Sequence, residues 1–114
     1  MKEEKFKVIS FIRELIIYLD KYLENFPKKD IEIKRRIKEI SYDILEEAYK
    51  ANNITNNKEE HIVNIIAKIK VIDFLLNICY EKEIINKKRY IKFGEKMDDI
   101  LKYSIGWKKS LKEK

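Results

Sequence analysis

The stretch FPKKDIEIKRRIKEISYDILEEAYKA, residues 26–51, decides how this chain folds. Pro27 ends the segment before it, and Asp30 stands where an N-cap carboxylate would accept hydrogen bonds from the first N–H groups of a helix. Apolar residues then recur every three or four positions and share one helical stripe: Ile33, Ile37, Ile40, Ile44 and Ala48. We therefore predict a helix over about residues 30–51 that buries one side and shows its charged side to a partner.

The same spacing predicts three further helices, over about residues 4–25, 58–82 and 87–112. The first has the apolar stripe Val8, Ile12, Leu15, Leu19, Tyr22 and Phe26, broadened by Ile9, Ile16 and Leu23. The third has the stripe Ile62, Ile65, Ile69, Ile72, Leu76 and Cys79. The fourth has the stripe Tyr90, Phe93, Met97, Ile100, Ser104, Trp107 and Leu111. Stripes of this breadth are typical of a bundle core rather than of a two-stranded coiled coil.

Residues typical of helix starts stand at two of the predicted helix boundaries. Asn57, followed by Glu60, predicts a capping box before the third helix, and Asn86 predicts an N-cap before the fourth. With two glycines and one proline, the chain has little turn chemistry for strands. We therefore expect residues 1–114 to form one all-α domain, an antiparallel up-down-up-down four-helix bundle.

The composition limits the classes of protein to which the chain can belong. Its 114 residues can bury roughly two-thirds of the unfolded surface without disulfides or metals. The single cysteine leaves no internal disulfide, and no apolar run approaches the ~18 residues that span a bilayer. The start, MKEEKFK, is not followed by the uninterrupted apolar segment of a signal peptide. We expect a cytoplasmic protein with no membrane partner.

The net charge of +6 is compatible with nucleic acid binding but has a second explanation. Four of the 26 basic residues are arginines, and the excess of lysine, isoleucine and asparagine is what an AT-rich genome would encode. Arginine is the more informative cation because its planar fork fits phosphate oxygens. Two of the four arginines, Arg35 and Arg36, lie together in the predicted second helix.

Two cationic surfaces are candidates for phosphate binding, and we expect the principal contacts at the helix-two ridge and secondary contacts at the helix-four ridge. The helix-two ridge consists of Lys34, Arg35, Arg36 and Lys38. The helix-four ridge consists of Lys88, Arg89, Lys92 and Lys96, of which the last three share a helical face. Phosphates laid along such ridges would release counterions, so binding would depend steeply on salt. No aromatic residue is clearly interleaved with these cations on an exposed face, so we do not expect base stacking. A solvated lysine-rich surface explains the helix-four ridge equally well.

The third helix has a second apolar stripe, roughly opposite the first at 100° per residue. We call it the outer stripe; its members are Val63, Ala67, Val71, Phe74 and Ile78. A helix in a monomeric bundle buries only one side. We therefore predict that the outer stripe is buried against another subunit, so that the protein is a homo-oligomer. The alternative is that overhanging lysine stems cover these residues.

Enzyme classes are poorly supported by the sequence. A nucleophile needs a base within hydrogen-bond reach, and we expect His61 to face solvent in the first turn of its helix. Cys79 lies on the core stripe and is expected to be a small buried apolar group. The acidic pairs faintly resemble the magnesium-binding clusters of helical nucleotide pyrophosphohydrolases, but paired acids are ordinary on solvated helices. We predict no enzymatic activity, no cofactor and no metal.

Four segments of the chain resemble one protein family. They are Phe26-Pro27-Lys28, the segment IKEISYDILEEAYKAN at 37–52, the segment CYEKEIIN at 79–86 and the segment IGWKKS at 105–110. In this order they resemble the accessory variability determinant (Avd) proteins of diversity-generating retroelements. A more distant resemblance is to the four-helix-bundle proteins encoded within 23S rRNA intervening sequences. The family often shows two glycines before its tryptophan, whereas this chain has one.

The resemblance implies a homopentamer of four-helix bundles that forms a basic barrel. It also implies a non-catalytic accessory role, in which the protein binds RNA and the element's reverse transcriptase and supports cDNA synthesis from a template-repeat RNA. By this resemblance Arg35 and Arg36 match the basic opening of the family's second helix, and Lys108 and Lys109 match its cationic tail. Trp107 is expected in the core or an interface. The alternative function is that of a protein-interaction bundle with no nucleic acid role, of the intervening-sequence type.

Overall fold

The computed structural model describes residues 2–53 and 56–112. It contains four long helices: α1 (Lys2–Tyr22), α2 (Ile31–Asn53), α3 (Lys58–Glu81) and α4 (Lys87–Lys112). A short 3-10 helix, Lys28–Asp30, precedes α2, and the described ranges contain no strand. The four predicted helices are thus confirmed. The largest difference is at the end of α1, which stops at Tyr22 rather than near residue 25.

The four helices form an antiparallel bundle. Each helix packs against two neighbours, so that α1 contacts α2 and α4, while α3 contacts α2 and α4. Side chains near the end of one helix meet those near the start of the next, as Glu47 meets His61 and Asn77 meets Tyr90. The bundle measures 48 × 22 × 19 Å. This rod shape leaves four long grooves between neighbouring helices.

The predicted stripes form the core because helical periodicity places their residues on the inward side of each helix. All six residues of the α3 stripe are at most 1% exposed. The core also takes in Leu23, Ala51 and Ile85, which lie at or just beyond helix ends. Five stripe members near helix ends are only partly buried: Tyr22, Phe26, Ile33, Tyr90 and Leu111. Trp107 is buried, as expected for a core residue.

The helix boundaries include two corrections. Asn57 has a left-handed backbone conformation with φ 63°, and its side chain makes no capping bond, so the predicted capping box is wrong. Asp30, predicted as the N-cap of α2, lies in the 3-10 turn and is 8% exposed. Its carboxylate is 3.2 Å from Nζ of Lys82, so it joins the α1–α2 turn to the end of α3. The cap at Asn86 is confirmed, since its Oδ1 accepts from the backbone N–H of Arg89 at 2.8 Å.

Candidate functional site

The cations of the helix-two ridge already have partners within the chain. Arg35 donates from Nε and Nη2 to the two carboxylate oxygens of Glu32 at 2.8 and 2.7 Å. This bond, together with the charge of Arg35, lowers the pKa of the Glu32 carboxyl. Arg36 lies 3.8 Å from Glu39, which also lies 3.7 Å from Arg35. Much of the positive charge at the start of α2 is therefore balanced by carboxylates on the same helix.

The two lysines of the helix-two ridge reach back to α1 and the turn after it. Lys38 donates to Asp20 at 2.8 Å, and this hydrogen bond lowers the pKa of the Asp20 carboxyl. Lys34 donates to the backbone carbonyl of Glu24 at 3.3 Å. These contacts hold α2 beside the C-terminal half of α1. The role of this ridge in nucleic acid binding stays a prediction.

The helix-four ridge differs because its arginine is paired with tyrosines. Arg89 extends from the first turn of α4 over α1, where Nη1 donates to the hydroxyl of Tyr18 at 2.6 Å. Its Cζ lies 3.5 Å from the ring centroid of Tyr22 and 5.5 Å from that of Tyr18. The hydrogen bond with Tyr18 raises the pKa of Arg89, which carries its charge throughout the physiological range. Lys96 also lies over the Tyr18 ring, with Nζ 4.9 Å from its centroid.

The sequence predicts no aromatic residue on an exposed face among these cations, but the structure places two half-buried tyrosine rings beside them. Tyr18 and Tyr22 belong to α1, about 70 positions earlier in the chain than Arg89. They lie one helical turn apart, with ring centroids separated by 4.5 Å. Packing of α1 against α4 brings both rings to Arg89 and the Tyr18 ring also to Lys96. The signal that could have found them is their position, since Tyr22 belongs to the α1 stripe and Tyr18 lies one turn before it on the flank of that stripe.

A groove between α1 and α4 surrounds this cluster. Its volume is about 390 Å³, and its lining residues are Tyr18, Tyr22, Lys88, Arg89, Ile91, Lys92 and Glu95. Lys92 lies 3.7 Å from Glu95, whereas no carboxylate pairs with Lys88 or Arg89 in the part of the chain that the structure describes. We call this site the α1–α4 groove. It combines excess positive charge with aromatic and aliphatic surface, which suits a phosphate-bearing ligand with a planar group.

The remaining predicted cations lie elsewhere. Lys109 is exposed in the last turn of α4, and Lys108 beside it is half-buried. Arg89 is in the first turn of the same helix, so these lysines are roughly 30 Å away along the helix axis. The structure therefore does not bring the cationic tail together with the α1–α4 groove.

The outer stripe of α3 is open to solvent in the monomer. Phe74 is 63% exposed, Val71 45% and Val63 42%. Ala67 is also exposed, while Ile78 is half-buried. Lysine stems do not cover these residues, so that alternative is wrong. An assembly through this stripe stays a prediction.

Residues that could carry out catalysis are held in structural contacts. Cys79 is fully buried, and burial raises the pKa of its thiol to about 11. His61 does not face solvent as expected, because its Nδ1 lies 2.6 Å from Oε1 of Glu47 on α2. His61 and Cys79 are about 27 Å apart along α3, so they do not form a nucleophile–base pair. Among the described residues, no group of three or more histidine, cysteine, aspartate or glutamate side chains could hold a metal ion.

In the described ranges, no helix combines the length and the apolar character needed to cross a membrane. The comparison with curated proteins and the comparison with solved structures gave no match. A family model described as bAvd-like matches residues 3–111, which covers all four helices and the α1–α4 groove. This match confirms the resemblance carried by the four segments quoted above. The chain therefore belongs to the bAvd-like family.

Proposed function

We propose that this chain is a non-catalytic accessory protein of a diversity-generating retroelement. In this role it binds RNA and the element's reverse transcriptase and supports cDNA synthesis from the template-repeat RNA. The observation that carries the proposal is membership of the bAvd-like family across residues 3–111. The reverse transcriptase performs the chemistry, and the bundle supplies binding surfaces.

Two surfaces support this role. The α1–α4 groove has cations that no carboxylate neutralises within the described part of the chain, and such cations attract phosphates more strongly than paired ones. The outer stripe of α3 is an exposed apolar surface suited to contact with a second copy, and by family resemblance the assembly contains five copies. A homo-oligomer would repeat the groove around its symmetry axis and so multiply weak RNA contacts.

The two cationic ridges differ in what they contribute. Arg35 and Arg36 are balanced by Glu32 and Glu39, so RNA would have to compete with these carboxylates. At Arg89, in the helix-four ridge, RNA would not have to displace a carboxylate. We therefore propose the reverse of the ranking expected from the sequence, with the principal phosphate contacts at the helix-four ridge and secondary contacts at the helix-two ridge.

The test measures light-scattering mass and RNA affinity in the same preparation. Wild-type protein is expected to have a light-scattering mass near that of five chains and to form a salt-sensitive complex with a structured RNA. A double charge reversal in the helix-four ridge, Lys88→Glu with Lys92→Glu, should weaken binding and lower the slope of log K against log salt by about 2. The matched reversal Arg35→Glu with Arg36→Glu should have the smaller effect. Co-expression with the element's reverse transcriptase should yield a stable complex.

The alternative is a protein-interaction bundle with no nucleic acid role. The internal pairing of the helix-two ridge favours it, since those cations serve the fold. An oligomer that binds the reverse transcriptase but is indifferent to RNA at every salt concentration would support this alternative. A monomer indifferent to both would overturn the proposed function altogether.

A further inference from the structure

The Arg89 guanidinium is oriented by aromatic contacts and keeps its charge. Tyr22 lies against it at 3.5 Å, and the hydroxyl of Tyr18 accepts from Nη1 at 2.6 Å. These contacts, together with a hydrogen-bond interaction with Tyr22, hold the guanidinium over α1, and none of them is with a carboxylate. Arg35, by comparison, gives two donors to a single carboxylate. Arg89 is therefore held in place for binding without being neutralised.

The size and lining of the α1–α4 groove fit one planar group with flanking phosphates. Its volume of about 390 Å³ is within the ~300–1,000 Å³ range of small-ligand sites. Ile91 is 50% exposed and adds aliphatic surface, while Lys88 and Lys92 are exposed cations on the same lining. A nucleobase can stack on an arginine plane as well as on an aromatic ring. The contact between Arg89 and the Tyr22 ring, 3.5 Å from Cζ to the ring centroid, thus offers a platform to which a base can add.

We propose that the α1–α4 groove binds an unpaired nucleotide of single-stranded RNA, with its base stacked on Arg89 and its phosphates on Lys88 and Lys92. This inference rests on the proposed function, because it states which form of RNA the groove takes. Bases inside a duplex are already stacked on their neighbours, so only an unpaired base can offer its face. An acidic protein segment would be attracted by the same lysines but would not use the stacking platform.

The experiment compares two Arg→Lys variants, which keep the positive charge and remove the planar guanidinium. Arg89→Lys removes the platform. Arg36→Lys makes the same exchange on the helix-two ridge, at an arginine that contacts no tyrosine in the described structure. Each protein is titrated by fluorescence anisotropy with a labelled single-stranded oligoribonucleotide. An abasic strand of the same length provides the phosphates without the bases. Circular dichroism and light scattering confirm that both variants keep helix content and mass.

Wild-type protein is expected to bind the base-bearing strand more tightly than the abasic strand. Arg89→Lys should weaken binding of the base-bearing strand about fivefold or more, which is the scale of one base stack, and leave the abasic strand within twofold. The salt slope should not change, because the charge is kept. Arg36→Lys should leave both affinities within twofold.

Equal losses for the two strands would overturn this inference while leaving the proposed function intact, since Arg89 would then act only as a phosphate contact. An Arg89→Lys variant that binds both strands like the wild type would also overturn it. Failure of the wild-type protein to bind either strand, or the structured RNA, would overturn the proposed function together with this inference.

Discussion

Replacing Glu47 with alanine tests the polar contact that joins α2 to α3. Oε1 of Glu47 lies 2.6 Å from Nδ1 of His61 and 3.3 Å from Nδ2 of Asn64. The side chains of His61 and Glu47 are 19% and 15% exposed. An ionised carboxylate can only accept, so Nδ1 of His61 carries the proton in this bond. The substitution leaves two donors of α3 without their acceptor.

The expected cost follows from the burial of these groups. A hydrogen bond to a charged group contributes about 1.5–3 kcal/mol when its loss leaves a buried partner unsatisfied. Water can reach the freed donors in part, because neither side chain is fully enclosed. We therefore expect Glu47→Ala to lower the free energy of unfolding by about 1–2 kcal/mol at pH 7.

The same contact predicts a pH dependence. Burial raises the pKa of Glu47, but the hydrogen bonds from His61 and Asn64 together outweigh it and place that pKa below its ordinary value. A carboxyl whose pKa is lowered in the folded state stabilises the fold above the unfolded pKa of about 4.3, and this stability is lost as the pH falls through the folded pKa. The difference between wild type and variant should therefore shrink below about pH 4.

Urea unfolding followed by circular dichroism, at one fixed protein concentration, measures both effects. The matched control is Glu46→Ala, because Glu46 is exposed and pairs only with Lys50 among the described residues. This control should change the free energy of unfolding by less than about 0.5 kcal/mol. If Glu47→Ala costs no more than Glu46→Ala, or if its cost is the same at pH 7 and at pH 3.5, roughly a unit below the unfolded pKa, the reasoning is refuted.

Two further predictions concern α3 and α4. Val71→Glu with Phe74→Glu should reduce the light-scattering mass to that of one chain while helix content is kept, because charges would enter the apolar contact between subunits. Ile17→Glu, at a residue of α1 that is 67% exposed, is the control and should leave the mass unchanged; loss of folding in the α3 variant would show instead that its residues belong to the monomer core. Gly94→Ala should raise the free energy of unfolding by about 0.5–1 kcal/mol, since alanine favours a helix interior and an added Cβ meets nothing within 4 Å. A lower urea midpoint for Gly94→Ala would contradict this account.

The helices and their buried sides could be predicted from the sequence because periodicity is a local property. The stripe from Ile62 to Cys79 fixes which side of α3 is apolar, whatever the neighbouring helix is. The outer stripe, including Phe74, was visible for the same reason. The cap at Asn86 was also predictable, since it bonds an N–H only three positions away. These features depend on residues less than a few turns apart.

Contacts between helices could be decided only by the tertiary structure. The sequence placed His61 on a first turn, but the packing of α3 on α2 decided that it meets Glu47. The sequence also placed Asp30 at a helix start, but its carboxylate forms an ion pair with Lys82, some fifty positions later. Both contacts depend on which sides of two neighbouring helices face each other. The packing of the whole helices decides this.

In the candidate site, too, some features follow from the sequence and others from the packing of the helices. The sequence determined that Arg89 is a cation on one face of α4, together with Lys92 and Lys96. It could not determine that α1 supplies Tyr18 and Tyr22, because the rotation of each helix about its axis is set by core packing. Charge is a property of the sequence, whereas the stacked and unneutralised state of Arg89 is a property of the fold.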